Sequence, residues 1–367
     1  MAIMDFRSWS ESVVVADYTN TASFFIYDHD NSFPVSIGTN GQFGDNYINI
    51  YGRGYTNSGA KWVLPVSSLN VFVGLRMQFP YQYQSAADVC SATVLLIDSA
   101  GNYQMSVAFN LSDGSIIVYQ GCNQLPGSMG IGAFSQIASA PSGSIIIGNA
   151  WQYVEIGAIL STANGRVTVR VNGNVLIDAT PVNTVSNNTA PAIKQIAVCA
   201  GGMTNAMLSF RFGHFYVNDA TGPAPLNSFL GDVRVTSQAY ATSVAVQFSP
   251  VGAATNQDVC NTTPPVPATI RNVSTTVGDT DTYTVQPLPP STTVVFAVGV
   301  RTLAAKDLAG PRSMQNKLTS GAATSAGVAV SLGTSPKYVR DNFGTDPATG
   351  AAWTVTAVNA LKPGYTS

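Results

Sequence analysis

Residues 151–177 read WQYVEIGAILSTANGRVTVRVNGNVLI, and this stretch decides the fold. Over 166–172 the apolar residues Val167, Val169 and Val171 alternate with polar ones. Successive side chains of a strand point to opposite faces, so this alternation predicts a strand with one face buried. Asn172-Gly173 then leads into 174–179, where Val175 and Ile177 continue the pattern. A two-residue hairpin turn needs positive φ at its central residues, and Asn-Gly between alternating runs is the strongest short-range sign of one. Before the hairpin, 151–160 reads as a longer apolar strand with Trp151 packed in the core.

Outward from there the same signal repeats. Strands are expected at 70–79, 93–98, 103–110, 115–120, 144–148, 193–199, 206–212 and 214–218, broken by Gly, Asn, Asp, Pro and Ser. The run Asp98-Ser99-Ala100-Gly101-Asn102 reads as a hairpin turn rather than a metal loop. So many short strands predict an all-β chain whose first part is a two-sheet jelly roll. Residues 218–225, NDATGPAP, are rich in turn formers and place a boundary there, giving domains 1–222 and 223–367. The second, smaller β-rich domain is expected to hold strands at 231–237, 242–248, 281–286, 293–302, 327–333 and 337–343. Residues 250–276, with Pro264-Pro265-Val266-Pro267, read as a long loop or an arm lying on another chain. The spacing of Val355, Val358 and Leu361 predicts a short helix over 352–361, and the tract before Trp62 is more irregular.

Composition narrows the function. Charged residues make up 10% of the chain, against about 25% in ordinary soluble domains. Hydrophobic residues reach 45%, so this is not the composition of disorder. Few charges leave strand edges unguarded, which points to a protein covered by identical neighbours in an assembly. Net charge is −2 with no Lys/Arg cluster, against a nucleic-acid partner. No apolar run reaches the length of a membrane span, and MAIMDFRSWSES has no apolar leader core, so folding in a reducing cytoplasm is expected. Cys90, Cys122, Cys199 and Cys260 form no C-x-x-C pair, and only His29 and His214 could join them, so neither metal nor cofactor is expected. Free thiols are the expectation, with a Cys90–Cys122 bridge left open.

Catalytic constellations are sparse. Retaining glycosidases of this fold class need two carboxylates about 5 to 5.5 Å apart. The chain has two glutamates, Glu11 and Glu155, and no acid stands beside Glu155 at Tyr153 or Gly157. Glu155 therefore reads as a rim charge and the chain as not an enzyme. Asp28-His29-Asp30-Asn31 reads as a solvated turn, and His214 has no nucleophile context. Among the aromatics, Phe79-Pro80-Tyr81-Gln82-Tyr83-Gln84 follows a strand end, which makes Tyr81 and Tyr83 the candidate ligand-binding residues, stacking on sugar rings.

Three stretches carry a family resemblance: PLNSFLGDVRV (225–235), GDTDTYTV (278–285) and GTDPATGAAWTVTAVNAL (344–361). Together they resemble the C-terminal region of tailed-bacteriophage virion proteins, the putative tail or minor structural proteins. Residues 151–177 look like the central hairpin of the laminin G-like, concanavalin-type jelly roll that often precedes that region. The resemblance implies a non-enzymatic virion protein, assembled in the bacterial cytoplasm, associated with tail, fibre or baseplate, and contacting other virion proteins. A homo-trimer is the favoured assembly. The alternative readings are a capsid-decoration or head-fibre protein, and a carbohydrate-binding module reading a host-surface glycan.

Overall fold

The computed structural model describes residues 3–7, 24–27, 36–39, 47–53, 58–80, 90–122, 134–186, 191–202, 207–263, 265–307 and 310–367. The chain divides into two compact units, Met1–Val235 and Thr236–Ser367. The jelly-roll sandwich of the first unit is followed by a smaller β-rich unit, as the alternation predicts.

In the first unit the strands in chain order are β1 (Ile3–Arg7), β2 (Phe24–Tyr27), β3 (Ser36–Gly38), β4 (Tyr47–Arg53), β5 (Ser58–Ser68), β6 (Asn70–Phe79), β7 (Cys90–Asp98) and β8 (Tyr103–Asn110). They continue with β9 (Ile116–Gln120), β10 (Ser135–Ala140), β11 (Gly148–Ile159), β12 (Gly165–Val171), β13 (Asn174–Val182), β14 (Ile193–Gly202) and β15 (Met207–Asp219). One sheet runs β13-β12-β11-β6-β15-β4-β3, with β1 also paired to β15; the other runs β10-β9-β8-β7-β14-β5-β2. Every pairing is antiparallel, so alternate residues of each strand point inward. Val71, Val73, Leu75, Met77 and Phe79 of β6, Val154 and Ile156 of β11 and Val94 and Leu96 of β7 meet in one core. Trp62 stacks on Phe215 at 4.3 Å between ring centroids in the same core. Asn172 takes φ 50° and Gly173 φ 81°, the turn that joins β12 to β13.

Two expectations are corrected here. Residues 144–148 form no strand of their own; Ile146 is instead tied by its backbone to Gln152, donating N–H to Oε1 at 2.8 Å and accepting from Nε2 at 2.8 Å. Residues 231–237 also form no strand. Of these, residues 231–235 fall within the first unit, Met1–Val235.

The second unit contains β16 (Tyr240–Ala245), β17 (Ser249–Val251), α1 (Asn256–Asn261), β18 (Arg271–Val273), β19 (Thr280–Val285), β20 (Val298–Ala304), β21 (Ser313–Ser320), β22 (Ala323–Ala326), β23 (Val330–Ser331), β24 (Lys337–Phe343), α2 (Val355–Asn359) and β25 (Lys362–Thr366). Its main sheet runs β16-β19-β25-β21-β22. The stretch GDTDTYTV supplies its polar centre. Asp281, fully buried, accepts N–H bonds from Gln247 (2.7 Å) and Phe248 (3.0 Å), one from Asn256 Nδ2 (2.7 Å), and hydroxyl bonds from Tyr283 (2.9 Å) and Tyr365 (3.2 Å). Buried polar groups with this many partners fix one arrangement of the segments that supply them. Residues 250–276 are thereby drawn into the unit: Asn256 reaches Asp281, and Asn272 Nδ2 donates to Tyr365 Oη at 2.8 Å. The segment expected to be a bare arm is part of a core. Cys122, Cys199 and Cys260 are free thiols, and burial pushes the Cys260 thiol up. Among the described residues, no helix is long and apolar enough to cross a membrane.

Candidate functional site

The residues of β6, β11, β12 and β15 that do not enter the core make the outward face of the first unit's eight-stranded sheet. Strand register stacks them in cross-strand rows. The first row is Trp151, Gln78, Arg211 and Asn49; the second is Tyr153, Arg76 and Gly213. The third is Arg170, Glu155, Gly74 and Tyr216; the fourth is Thr168, Gly157, Phe72 and Asn218. Rows two residues apart on a strand lie about 7 Å from one another. The register of β15 shifts between Gly213 and Tyr216, and His214 takes φ 46° there. Such a bulge re-aims side chains; it keeps Phe212 and Phe215 in the core while His214 Nδ1 meets the outward face.

Two glycines hollow this face. A Cβ on Gly74 would stand 2.0 Å from Tyr216 Cε1, and one on Gly157 would stand 2.6 Å from Phe229 Cζ. Neither ring could lie where it does if these positions carried a side chain.

Residues 228–235, the FLGDVRV stretch with its leading serine, fill that hollow as a strap. Ser228 C=O accepts from Asn218 Nδ2 at 2.8 Å. The Phe229 ring meets Phe72 edge-on at 5.0 Å, and the Arg170 guanidinium lies over it at 4.0 Å. Leu230 N–H donates to Tyr216 Oη at 3.0 Å, and Gly231 N–H to Glu155 Oε1 at 2.8 Å. Gly231 has φ 78°, a conformation that suits glycine and turns its N–H toward the carboxylate. Asp232 forms an ion pair with Arg76, and Val235 N–H donates to His214 Nδ1 at 3.2 Å. The strap covers the second, third and fourth rows.

Glu155 is the anchor beneath it. Expected as a rim charge, it is 1% exposed and accepts from both Gly231 N–H and Tyr216 Oη, the latter at 2.6 Å. The correction has a simple cause: Glu155 does point away from the core, as its strand position requires, but the strap then buries that side of the sheet. Burial and the neighbouring Glu155 charge push the Tyr216 hydroxyl far up, so it stays a proton donor. Burial likewise raises Tyr153.

The first row remains outside the strap. Trp151, expected in the core, stands on this outward face, half-buried, with its ring edge-on to Tyr47 at 5.8 Å. The Arg211 guanidinium lies over the Tyr47 ring at 5.0 Å and donates to Gln78 Oε1 at 2.8 Å. Gln78 Nε2 donates to Asn149 C=O at 2.5 Å. Asn49 Oδ1 and Arg211 Nε are buried without a hydrogen-bond partner. Tyr81 and Tyr83, like Asp28 to Asn31, lie outside the described residues. Among the described residues no three His, Cys, Asp or Glu side chains gather as metal ligands.

No family model matches this chain, and no curated protein does. Solved structures similar to it include the alginate lyase Aly36B, at 11% identity over 58% of this chain and 96% of that one, with a TM-score of 0.40. The catalytic domain of a glycoside hydrolase family 131 protein from Coprinopsis cinerea is similar at 9% identity over 63% and 99%, TM-score 0.40. The carbohydrate binding module CBM66 from Bacillus subtilis is similar at 11% identity over 55% and 98%, TM-score 0.33. At these identities the likeness is one of fold. Catalytic proteins stand among these structures beside a binding module, so the expectation that the chain is not an enzyme does not stand, and the fold by itself assigns no activity. That no acid stands two residues from Glu155 on its strand says nothing of catalysis by other groups. None of the three is a virion protein, so the phage resemblance rests on the quoted residues alone.

Proposed function

We propose that the first unit binds a saccharide on the outward face of its eight-stranded sheet, with the Trp151–Gln78–Arg211–Asn49 row as the subsite outside the strap. The observation that carries this reading is that row: two half-buried aromatic rings beside a guanidinium and an amide, with Asn49 Oδ1 and Arg211 Nε unpartnered. An aromatic ring offers an apolar face to the C–H side of a sugar, while a few fixed polar groups read its hydroxyls. Isothermal titration against a panel of oligosaccharides tests it. A ligand with Kd below about 1 mM, lost in Trp151→Ala, is expected. Equal binding by Trp151→Ala refutes the placement. Reducing ends and unsaturated products are followed in the same mixtures, and turnover would extend the reading to cleavage.

The setting we propose is the one the resemblance implies: a homo-trimer on a phage particle, displaying this face to a host-surface glycan. Support comes from sparse charge, 10% of the chain, which leaves few side chains to guard strand edges. Native mass spectrometry of the purified chain checks the assembly, and a monomer at micromolar concentration refutes the trimer.

A further inference from the structure

The strap is the chain's own occupant of the inner rows, and what it presents to them indicates what they accept. It gives a carboxylate to Arg76, N–H donors to Glu155, Tyr216 and His214, and a flat ring to Phe72 and Arg170. It adds no strand to the sheet, and no ladder of hydrogen bonds holds it. Its latch is accessible: the Asp232 side chain is 51% exposed, whereas Arg76 beneath is 8% exposed.

We propose that the inner rows bind a carboxylate-bearing saccharide, whose carboxylate takes the place of Asp232 on Arg76 as the strap lifts. This rests on the reading of the first row as a saccharide subsite, with which the inner rows are continuous through Gln78 and Arg76 on β6. Charge favours an acid. With Asp232 gone, the rows present Arg76, Arg170 and Arg211 against the carboxylate of Glu155 among their described residues, while Asp178 at the edge pairs with Arg166 and also acts on Arg170. A neutral sugar would not restore the Arg76–Asp232 ion pair that lifting the strap breaks. A uronate replaces the lost carboxylate bidentately, and its hydroxyls replace the strap's N–H donors to Glu155 and His214. Sugars lacking a carboxyl group should therefore be confined to the first row.

The probes are trigalacturonate and neutral cellotriose, titrated into the full chain. Asp232→Asn removes the strap's carboxylate at a half-exposed position and keeps its shape. It should bind trigalacturonate about tenfold more tightly than the unmodified protein, with cellotriose unchanged. Adding Arg76→Gln should abolish the gain, and trigalacturonate should speed hydrogen exchange at the Leu230 and Gly231 amides. If Asp232→Asn disturbs folding, as judged by thermal unfolding, Asp232→Ser serves instead. A gain shared by both sugars, or no gain in a folded variant, overturns the proposal. If the unmodified protein binds neither sugar but Asp232→Asn binds trigalacturonate, the first-row reading falls and this one stands. If the unmodified protein binds both sugars alike and Asp232→Asn adds nothing, the reverse holds. If Asp232→Asn binds neither sugar, or pairs into a dimer by exchanging straps without any response to sugar, this proposal falls.

Discussion

Replacing Tyr216 by Phe removes one oxygen and leaves the ring in the hollow above Gly74. That oxygen donates to Glu155 at 2.6 Å and accepts from Leu230 N–H at 3.0 Å. A hydrogen bond to a charged group contributes about 1.5–3 kcal/mol, and a buried donor left unmatched costs about 1–3 kcal/mol. The Leu230 amide regains water if the strap lifts, so the expected loss is about 2–4 kcal/mol rather than the full total. Since about 1.4 kcal/mol is a tenfold change in an equilibrium constant, exchange of amides in residues 228–235 should speed up between about thirtyfold and several-hundredfold. Hydrogen-exchange mass spectrometry of that segment reads the effect directly. Calorimetry should show the unit melting lower by about 2–4 °C for each kcal/mol that reaches global stability. The partner variant Glu155→Gln gives a double-mutant cycle with Tyr216→Phe, and a coupling of at least about 1 kcal/mol is expected. Exchange and melting both within about 0.5 kcal/mol of the unmodified protein would falsify the claim that this hydroxyl fastens the strap.

Three further outcomes follow, two from buried polar groups and one from a helix cap. Asp98 is fully buried; burial pushes its carboxyl up, but bonds from Asn102, Gln104 and Ala100 outweigh this and hold it below its usual value. Its contribution is therefore present above the unfolded pKa of about 3.9 and lost as pH falls through the folded one. Asp98→Asn should destabilise the first unit by about 1–3 kcal/mol at neutral pH, and denaturant titrations should show the gap closing below about pH 4. Ser106 Oγ is buried with no partner, so Ser106→Ala should leave stability within about 0.5 kcal/mol or raise it; a loss above about 1 kcal/mol would mean the hydroxyl is satisfied. In the second unit Thr255 caps α1, accepting from Asp258 N–H at 3.1 Å while Asp258 accepts from Thr255 N–H at 3.1 Å. Thr255→Ala should cost about 1 kcal/mol in urea unfolding of that unit, and Thr255→Ser much less.

The sequence by itself determined the local structure: the alternation of Val167, Val169 and Val171, the Asn172-Gly173 turn and the apolar stripe of β6 follow from the two-residue period of a strand and the φ that glycine allows. It also marked residues 225–235 and 278–285 as distinctive. Their roles were not legible, because a strand's period says which side a residue faces and not what lies on that side. Trp151 and Glu155 belong to one strand and point away from the core, yet one stays half-open beside Tyr47 while the other is sealed beneath Gly231. The partners that make the difference come from far along the chain: Tyr216 is 61 positions from Glu155, Gly231 is 76, and Asp232 is 156 from Arg76. Gly74 and Gly157 likewise look like weak points in their strands until Tyr216 and Phe229 are seen to occupy the space a side chain would take. Only tertiary structure decides such matters, because burial of a sheet's outer face depends on which remote segment returns to cover it.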